Sequence, residues 1–235
     1  MDYYNKNMAC IKEYKPDLLK LIKDNKISSR IKLDDVISIT TKDENKAIVV
    51  KYRTQEYRLN SSYRPIEEAK KWAKAYSVTD INTVINMFGI GNGMFVQALM
   101  DKMDDSTYLL IYEPSLDILN HTLMNYDIRD IISHKKVLIF IEGVNSDEFR
   151  RVSNSLTSIT NLNSQIQCIH PKYDEIFTES AIKFYRDLKD SYTTEVINTN
   201  TIVKLGQRNI DNIFSNLTFI NESSSIVELK EIIPQ

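Results

Sequence analysis

Val84-Ile85-Asn86-Met87-Phe88-Gly89-Ile90-Gly91-Asn92-Gly93 passes from an apolar run into three closely set glycines, and Met94-Phe95-Val96-Gln97-Ala98-Leu99-Met100 then has helical composition. The chain of 235 residues has only five glycines, so three within five residues mark a place where backbone freedom is needed. Twenty residues past Gly93, a second apolar run, Tyr108-Leu109-Leu110-Ile111-Tyr112, ends at Glu113. Strand, glycine turn, helix, strand and terminal acid together read as a nucleotide-binding βαβ unit. Glycine lets the backbone approach a ligand without a Cβ in the way, and the N–H groups at the following helix start favour an anionic or polar group. Glu113 is then placed to accept hydrogen bonds from ribose hydroxyls.

The glycine spacing is G-x-G-x-G, with Met94 where a dinucleotide fingerprint carries its third glycine. NAD is therefore disfavoured, and the turn resembles that of class I methyltransferases. Such enzymes usually carry an acid two residues before the first glycine, where this chain has Met87, and no Pro-Pro dipeptide is present. A nucleotide or S-adenosylmethionine-like ligand is the candidate occupant, and a Rossmann-type turn retained without a ligand is the alternative.

Working outward, Pro65 opens a helix with Ile66, Ala69, Trp72, Ala73 and Tyr76 on one face. Ser115 caps a helix carrying Leu116, Leu119, Leu123 and Met124, and Val137 to Ile141 is a buried strand. A helix from about Asp147 turns Phe149, Val152, Leu156 and Ile159 inward, and Gln165 to Ile169 supplies another strand. Strands alternating with helices imply an α/β, Rossmann-like, doubly wound parallel sheet. Before it, residues 1 to about 26 read as helices split at Pro16, and Val36–Thr41, Ala47–Tyr52 and Glu56–Leu59 read as a small antiparallel β-meander. After it, Ile182, Tyr185, Val196, Val203, Ile210, Ile213 and Leu217 mark long C-terminal helices that Gly206 interrupts. The expected organisation is a subdomain over 1–60, a Rossmann-like domain over 61–177 and a helical extension over 178–235.

Composition narrows the function classes. Hydrophobic residues make up 42% and charged residues 26%, as in ordinary globular chains, and a net charge of −2 argues against nucleic-acid partners. No secretory leader and no membrane-length apolar segment stands out, so cytoplasmic localisation is expected and a membrane partner is not. Cys10 and Cys168 are far apart and read as free thiols, and no His or carboxylate set has metal-ligand spacing. His121 reads as a solvated side chain, and His134 lies in a loop before Lys135-Lys136. His170 differs because it ends a strand on the carboxyl edge, where ligands of open α/β sheets bind. Glu142 ends a strand as well, before Gly143. Arg30, Lys32, Arg53 and Arg58 read as charges that protect the edges of the meander.

Asn60-Ser61-Ser62-Tyr63-Arg64-Pro65, Phe88-Gly89-Ile90-Gly91-Asn92-Gly93 and Ile111-Tyr112-Glu113-Pro114-Ser115 carry a family resemblance. With His170-Pro171-Lys172-Tyr173 and Asn212-Ile213-Phe214-Ser215-Asn216-Leu217, they look like the N-terminal domain of motility accessory factor glycosyltransferases, from about Lys51 to Leu217. The resemblance implies a cytoplasmic transferase that moves nonulosonic acid sugars from cytidine-monophosphate donors to flagellin. It implies too that catalysis belongs to a downstream domain opening with a Gly-Pro-Ser loop, a sequence this chain lacks. The chain stops at Pro234-Gln235, about where that domain would begin, so a fragment or truncated relative is expected. The implied partners are the downstream catalytic domain of the same polypeptide, flagellin, and a second copy in a homo-oligomer. No catalytic residue is assigned, and the positions that match the cleft are Gly89, Gly91, Gly93 and Glu113, beside His170. The competing readings are a small-molecule methyltransferase using S-adenosylmethionine and an assembly domain whose glycine turn is a relict.

Overall fold

The computed structural model describes residues 2–24, 35–78 and 81–222; Arg30, Lys32 and the tail after Glu222 lie outside the described residues. The chain divides into two compact units, Met1–Tyr192 and Thr193–Gln235.

The first unit begins with helices α1 (Tyr3–Tyr14) and α2 (Pro16–Asp24), separated at Lys15 because proline suits the first position of a helix and breaks the interior of one. Strands β1 (Asp35–Thr40), β2 (Lys46–Tyr52) and β3 (Gln55–Arg58) form the expected antiparallel meander. Arg53 and Thr54 both have positive φ, the two-residue hairpin geometry that matches strand twist. Residues 1–60 share this unit with the larger sheet. The Asn7 amide of α1 donates to Leu123 O at 2.9 Å and Tyr126 O at 2.7 Å, while its oxygen accepts from Ile128 N–H at 3.3 Å.

Helix α3 (Pro65–Ala73) leads into the parallel sheet, and its Trp72 meets Phe95 edge to face, with ring centroids 5.2 Å apart. The sheet consists of β4 (Val84–Phe88), β5 (Tyr108–Glu113), β6 (Val137–Ile141) and β7 (Gln165–Ile169). Its order is β6-β5-β4-β7 with every pairing parallel, the doubly wound arrangement. The crossovers are α4 (Met94–Met100), then α5 (Leu116–Asn125) with α6 (Arg129–Ser133), then α7 (Ser146–Leu156). Short α8 (Tyr173–Ile176) and long α9 (Thr178–Glu222) complete the chain. Phe88, Tyr112 and Phe140 occupy matching positions on neighbouring strands, and Phe149 of α7 and Phe184 of α9 pack against this ladder. Aromatic contacts of this kind add about 0.5–1.5 kcal/mol per pair to the burial of their area.

Three sequence expectations change. Helix α7 ends at Leu156, and Ile159 opens a separate 3₁₀ stretch (Ile159–Ser164), so it does not share the α7 face. The C-terminal helices are one helix that runs through Gly206, whose cost in a helix interior, about 0.5–1 kcal/mol, is too small to break so long an element. His121 is half-buried rather than solvated, with Nε2 2.8 Å from Ser38 Oγ, which also lies 2.9 Å from Tyr126 OH.

The outer edge of β6 is closed by side chains. Asn145 accepts from Ile141 N–H at 2.7 Å and donates to Ile139 O at 3.0 Å, while Lys15 Nζ donates to Val137 O at 2.8 Å. An edge satisfied in this way offers little to a foreign strand.

The described part of the second unit is the remainder of α9, from Thr193 to Glu222.

Candidate functional site

The reversal of strand order lies between β4 and β7, and in open α/β sheets that is where a ligand crevice forms. The chain leaves β4 through the glycine turn and leaves β7 at His170, so the two segments meet there. All five candidate residues, Gly89, Gly91, Gly93, Glu113 and His170, come together at this point. Gly89, Gly91 and Gly93 have φ of 95°, 52° and 87°, values that L side chains rarely adopt. Sequence pattern alone accounts for this much.

What fills the crevice is the protein itself. Glu113, His170 and Tyr173 are all completely buried. Glu113 Oε2 accepts from Ile90 N–H at 2.7 Å, and Oε1 accepts from Ser115 N–H at 2.9 Å. The Tyr173 hydroxyl donates to Glu113 Oε2 at 3.0 Å and accepts from Gly91 N–H at 3.0 Å. Gly89 N–H donates to Tyr112 O, Gly93 N–H to Ile90 O, and Met94 N–H to the Asn92 side chain. The six amides of Gly89, Ile90, Gly91, Gly93, Met94 and Ser115 are therefore already paired. The carboxylate expected to hold ribose hydroxyls instead holds the turn.

Close packing seals the arrangement. A Cβ added at Gly89 would fall on the Tyr173 ring, and one at Gly91 would lie 2.5 Å from His170 Nε2. The His170 ring packs against Phe95 and Tyr173, each with centroids 4.7 Å away, and neither ring nitrogen has a hydrogen-bond partner among the described residues. Thr122 Oγ1 donates to Gly91 O at 2.6 Å, and Asn92 links the turn to the meander through Lys46 O and Asn60. The open space beside the turn, about 270 Å³, is lined by Asn92, Gly93, Met94, Tyr126 and Ile128 rather than by Glu113 or His170. That volume falls below the roughly 300–1,000 Å³ of small-molecule sites.

Burial sets the electrostatics. It lifts the Glu113 carboxyl to about 8, with the Glu142 charge adding to the rise, although donors from Ile90, Ser115 and Tyr173 pull the other way. It drives the His170 imidazolium down to about 3 and pushes the Tyr173 hydroxyl well above its ordinary range. At neutral pH His170 is uncharged, and among the described residues no acceptor is in reach of its ring nitrogens. Glu142 is buried at the end of β6, Cys10 and Cys168 are free and buried, and His134 Nδ1 accepts from Lys136 N–H. Among the described residues no group of His, Cys, Asp and Glu could hold a metal ion, and no helix is long and apolar enough to cross a membrane.

Sequence reasoning did not assign Tyr173, Asn92 or Thr122. Tyr173 had a signal, since it follows His170 by three residues and one short turn carries it back under the glycines. Asn92 lies inside the turn itself.

Comparison with known proteins adds little beyond the architecture. Neither a scan of protein-family models nor a search of curated proteins gives a match. Among solved structures, MnmC2 from Aquifex aeolicus is similar at 14% identity and a TM-score of 0.28, over 58% of this chain and 54% of that one. Fibrillarin from Aeropyrum pernix, solved with natively bound S-adenosyl-L-methionine, is similar at 10% identity and a TM-score of 0.28, over 68% of this chain and 90% of that one. The chain thus spans about half the length of the Aquifex protein. Neither likeness bears on what this chain binds.

Proposed function

We propose that this chain is a noncatalytic Rossmann-like module of a cytoplasmic protein glycosyltransferase of the motility accessory factor type, and that it organises a catalytic domain or its flagellin acceptor. The observation that carries the noncatalytic part is the closed glycine turn. With Glu113 committed to Ile90, Ser115 and Tyr173, a nucleotide would have to break buried hydrogen bonds before making its own. Each buried partner left unmatched costs about 1–3 kcal/mol, so two or three such losses subtract about 2–9 kcal/mol from the roughly 8 kcal/mol of a micromolar affinity and weaken binding by at least about thirtyfold. The glycosyltransferase context rests on the resemblance carried by the glycine turn, Glu113-Pro114-Ser115 and His170-Pro171-Lys172-Tyr173.

The test supplies a cytidine-monophosphate nonulosonic acid donor and flagellin to the purified 235-residue chain, alone and together with a motility accessory factor catalytic domain. No sugar transfer is expected from the chain alone, and a gain in transfer is expected when both are present. Glycosylation by the chain alone would overturn the noncatalytic reading. An unchanged rate in the mixture would remove the organising role.

A further inference from the structure

The caps on the outer edge of β6 leave one gap. Lys136 O accepts from Leu109 N–H and Glu142 N–H donates to Glu113 O, so the even-numbered residues of β6 turn their backbone groups toward β5. Val137, Ile139 and Ile141 turn theirs outward. Val137 N–H donates to His134 O, Val137 O accepts from Lys15, and Ile139 O and Ile141 N–H pair with the Asn145 amide. Ile141 O accepts from the N–H groups of Val144 and Asn145. Ile139 N–H remains, buried and without an acceptor among the described residues. A second incomplete donor stands beside it. Lys15 Nζ, half-buried, gives hydrogens to His134 O at 3.3 Å and Val137 O at 2.8 Å, and an ammonium has a third. Burial lowers the Lys15 pKa, and among the described residues no carboxylate pairs with it. A desolvated cation ordinarily has a counter-charge.

Both donors line a cavity of about 410 Å³ between the α1–α2 junction, β6 and α7, a volume within the roughly 300–1,000 Å³ of small-molecule sites. The cavity touches Leu138, Ile139 and Phe140 in succession. Side chains alternate along a strand, so Leu138 and Phe140 present one face of β6 and Ile139 meets the cavity at the edge, where its N–H lies. Leu18 and Val152 add apolar walls, while Asp17 and Glu148, both exposed, stand at the rim. We propose that this cavity binds an apolar monocarboxylate, whose oxygens accept from Ile139 N–H and Lys15 Nζ and whose body lies against Leu138, Phe140 and Val152. Geometry and charge select that class. Lys15 Nζ sits on Val137 O, the outward group next to Ile139 N–H along the edge, and a planar carboxylate offers two adjacent oxygens to two adjacent donors. A phosphate would bring a second negative charge toward Asp17 and Glu148, and an uncharged amide would leave the ammonium without its counter-charge.

Calorimetric titration of the native chain with sodium benzoate tests the site, and amide chemical shifts locate it. Saturable binding is expected, with a downfield shift of Ile139 N–H and none at Gly89 to Gly93. Benzamide, of the same shape without the charge, is expected to bind about tenfold to hundredfold more weakly, the worth of one charge-assisted hydrogen bond, and inorganic phosphate is expected not to bind. Lys15→Met is expected to weaken benzoate binding by a similar factor. That variant also uncaps His134 O and Val137 O, so Val152→Trp supplies a second test that leaves both donors in place. It fills the cavity from α7 and is expected to abolish benzoate binding while a cooperative unfolding transition is kept. No saturable heat with benzoate, equal affinity for benzamide, an unchanged affinity in either variant, or shifts confined to residues outside the cavity would overturn the proposal.

Discussion

Gly91 and His170 approach closely in the molecule's ligand-like crevice, and they make a two-residue test of it. Gly91→Ala places a β-carbon both at a positive φ and 2.5 Å from His170 Nε2. The expected cost is about 3 kcal/mol or more, from backbone strain together with overpacking. In a His170→Ala background only the strain remains, about 1–2 kcal/mol, and urea unfolding of the four variants reads the difference. Equal costs in both backgrounds would mean that His170 does not fill the space over the turn. The two buried ionisable groups also shape the dependence of stability on pH. Glu113 holds its proton more tightly folded than unfolded, so its contribution is complete below about 4.5 and is lost as pH rises toward about 8. His170 holds its proton less tightly folded, so its contribution is complete above about 6.5 and is lost as pH falls toward about 3. Stability is therefore expected to be flat between about 4.5 and 6.5 and to decline on both sides. Glu113→Gln should remove the alkaline decline and leave the acid one, as followed by thermal unfolding across pH. An alkaline decline of unchanged slope in that variant would show that another group titrates.

At the scale of elements, every strand and the order strand-helix-strand around the turn were legible, because period-two and period-3.6 apolar patterns report burial directly. Side-chain capping was not legible. Asn145 closing the β6 edge and Asn7 binding α1 to the loop before α6 depend on residues far apart in sequence, and nothing local distinguishes either asparagine from a surface one. Gly206 misled for a related reason, since a glycine within a long apolar-striped segment reads as a break although its helical cost is small. Asn145→Ala is expected to lower stability by about 1–3 kcal/mol, because it strips Ile141 N–H and Ile139 O of their partner. It should also raise aggregation on partial unfolding, measured by light scattering, by reopening a strand edge. A variant with native stability and native scattering would remove the edge-closing role from Asn145.

For the whole molecule, the candidate site was legible as a place and not as a state. The glycines, Glu113 and His170 were identifiable because strand ends and positive-φ positions follow from the pattern. That Glu113 would turn inward was hidden, because it depends on Tyr173 arriving from the far side of β7 to share its carboxylate. The same residues that make a nucleotide cleft in outline thus make a closed clasp in three dimensions. Replacing Tyr173 by Phe is expected to loosen that clasp, costing about 1–3 kcal/mol by leaving Gly91 N–H unpaired, with faster hydrogen exchange at Ile90 and Gly91 as the readout. Unchanged exchange at both amides would show that the tyrosine hydroxyl does not hold the turn. The most direct measurement is a calorimetric titration of the native chain with S-adenosylmethionine and, separately, with cytidine monophosphate. A closed turn predicts no saturable heat with either ligand; saturable micromolar binding that disappears in Glu113→Ala would contradict it.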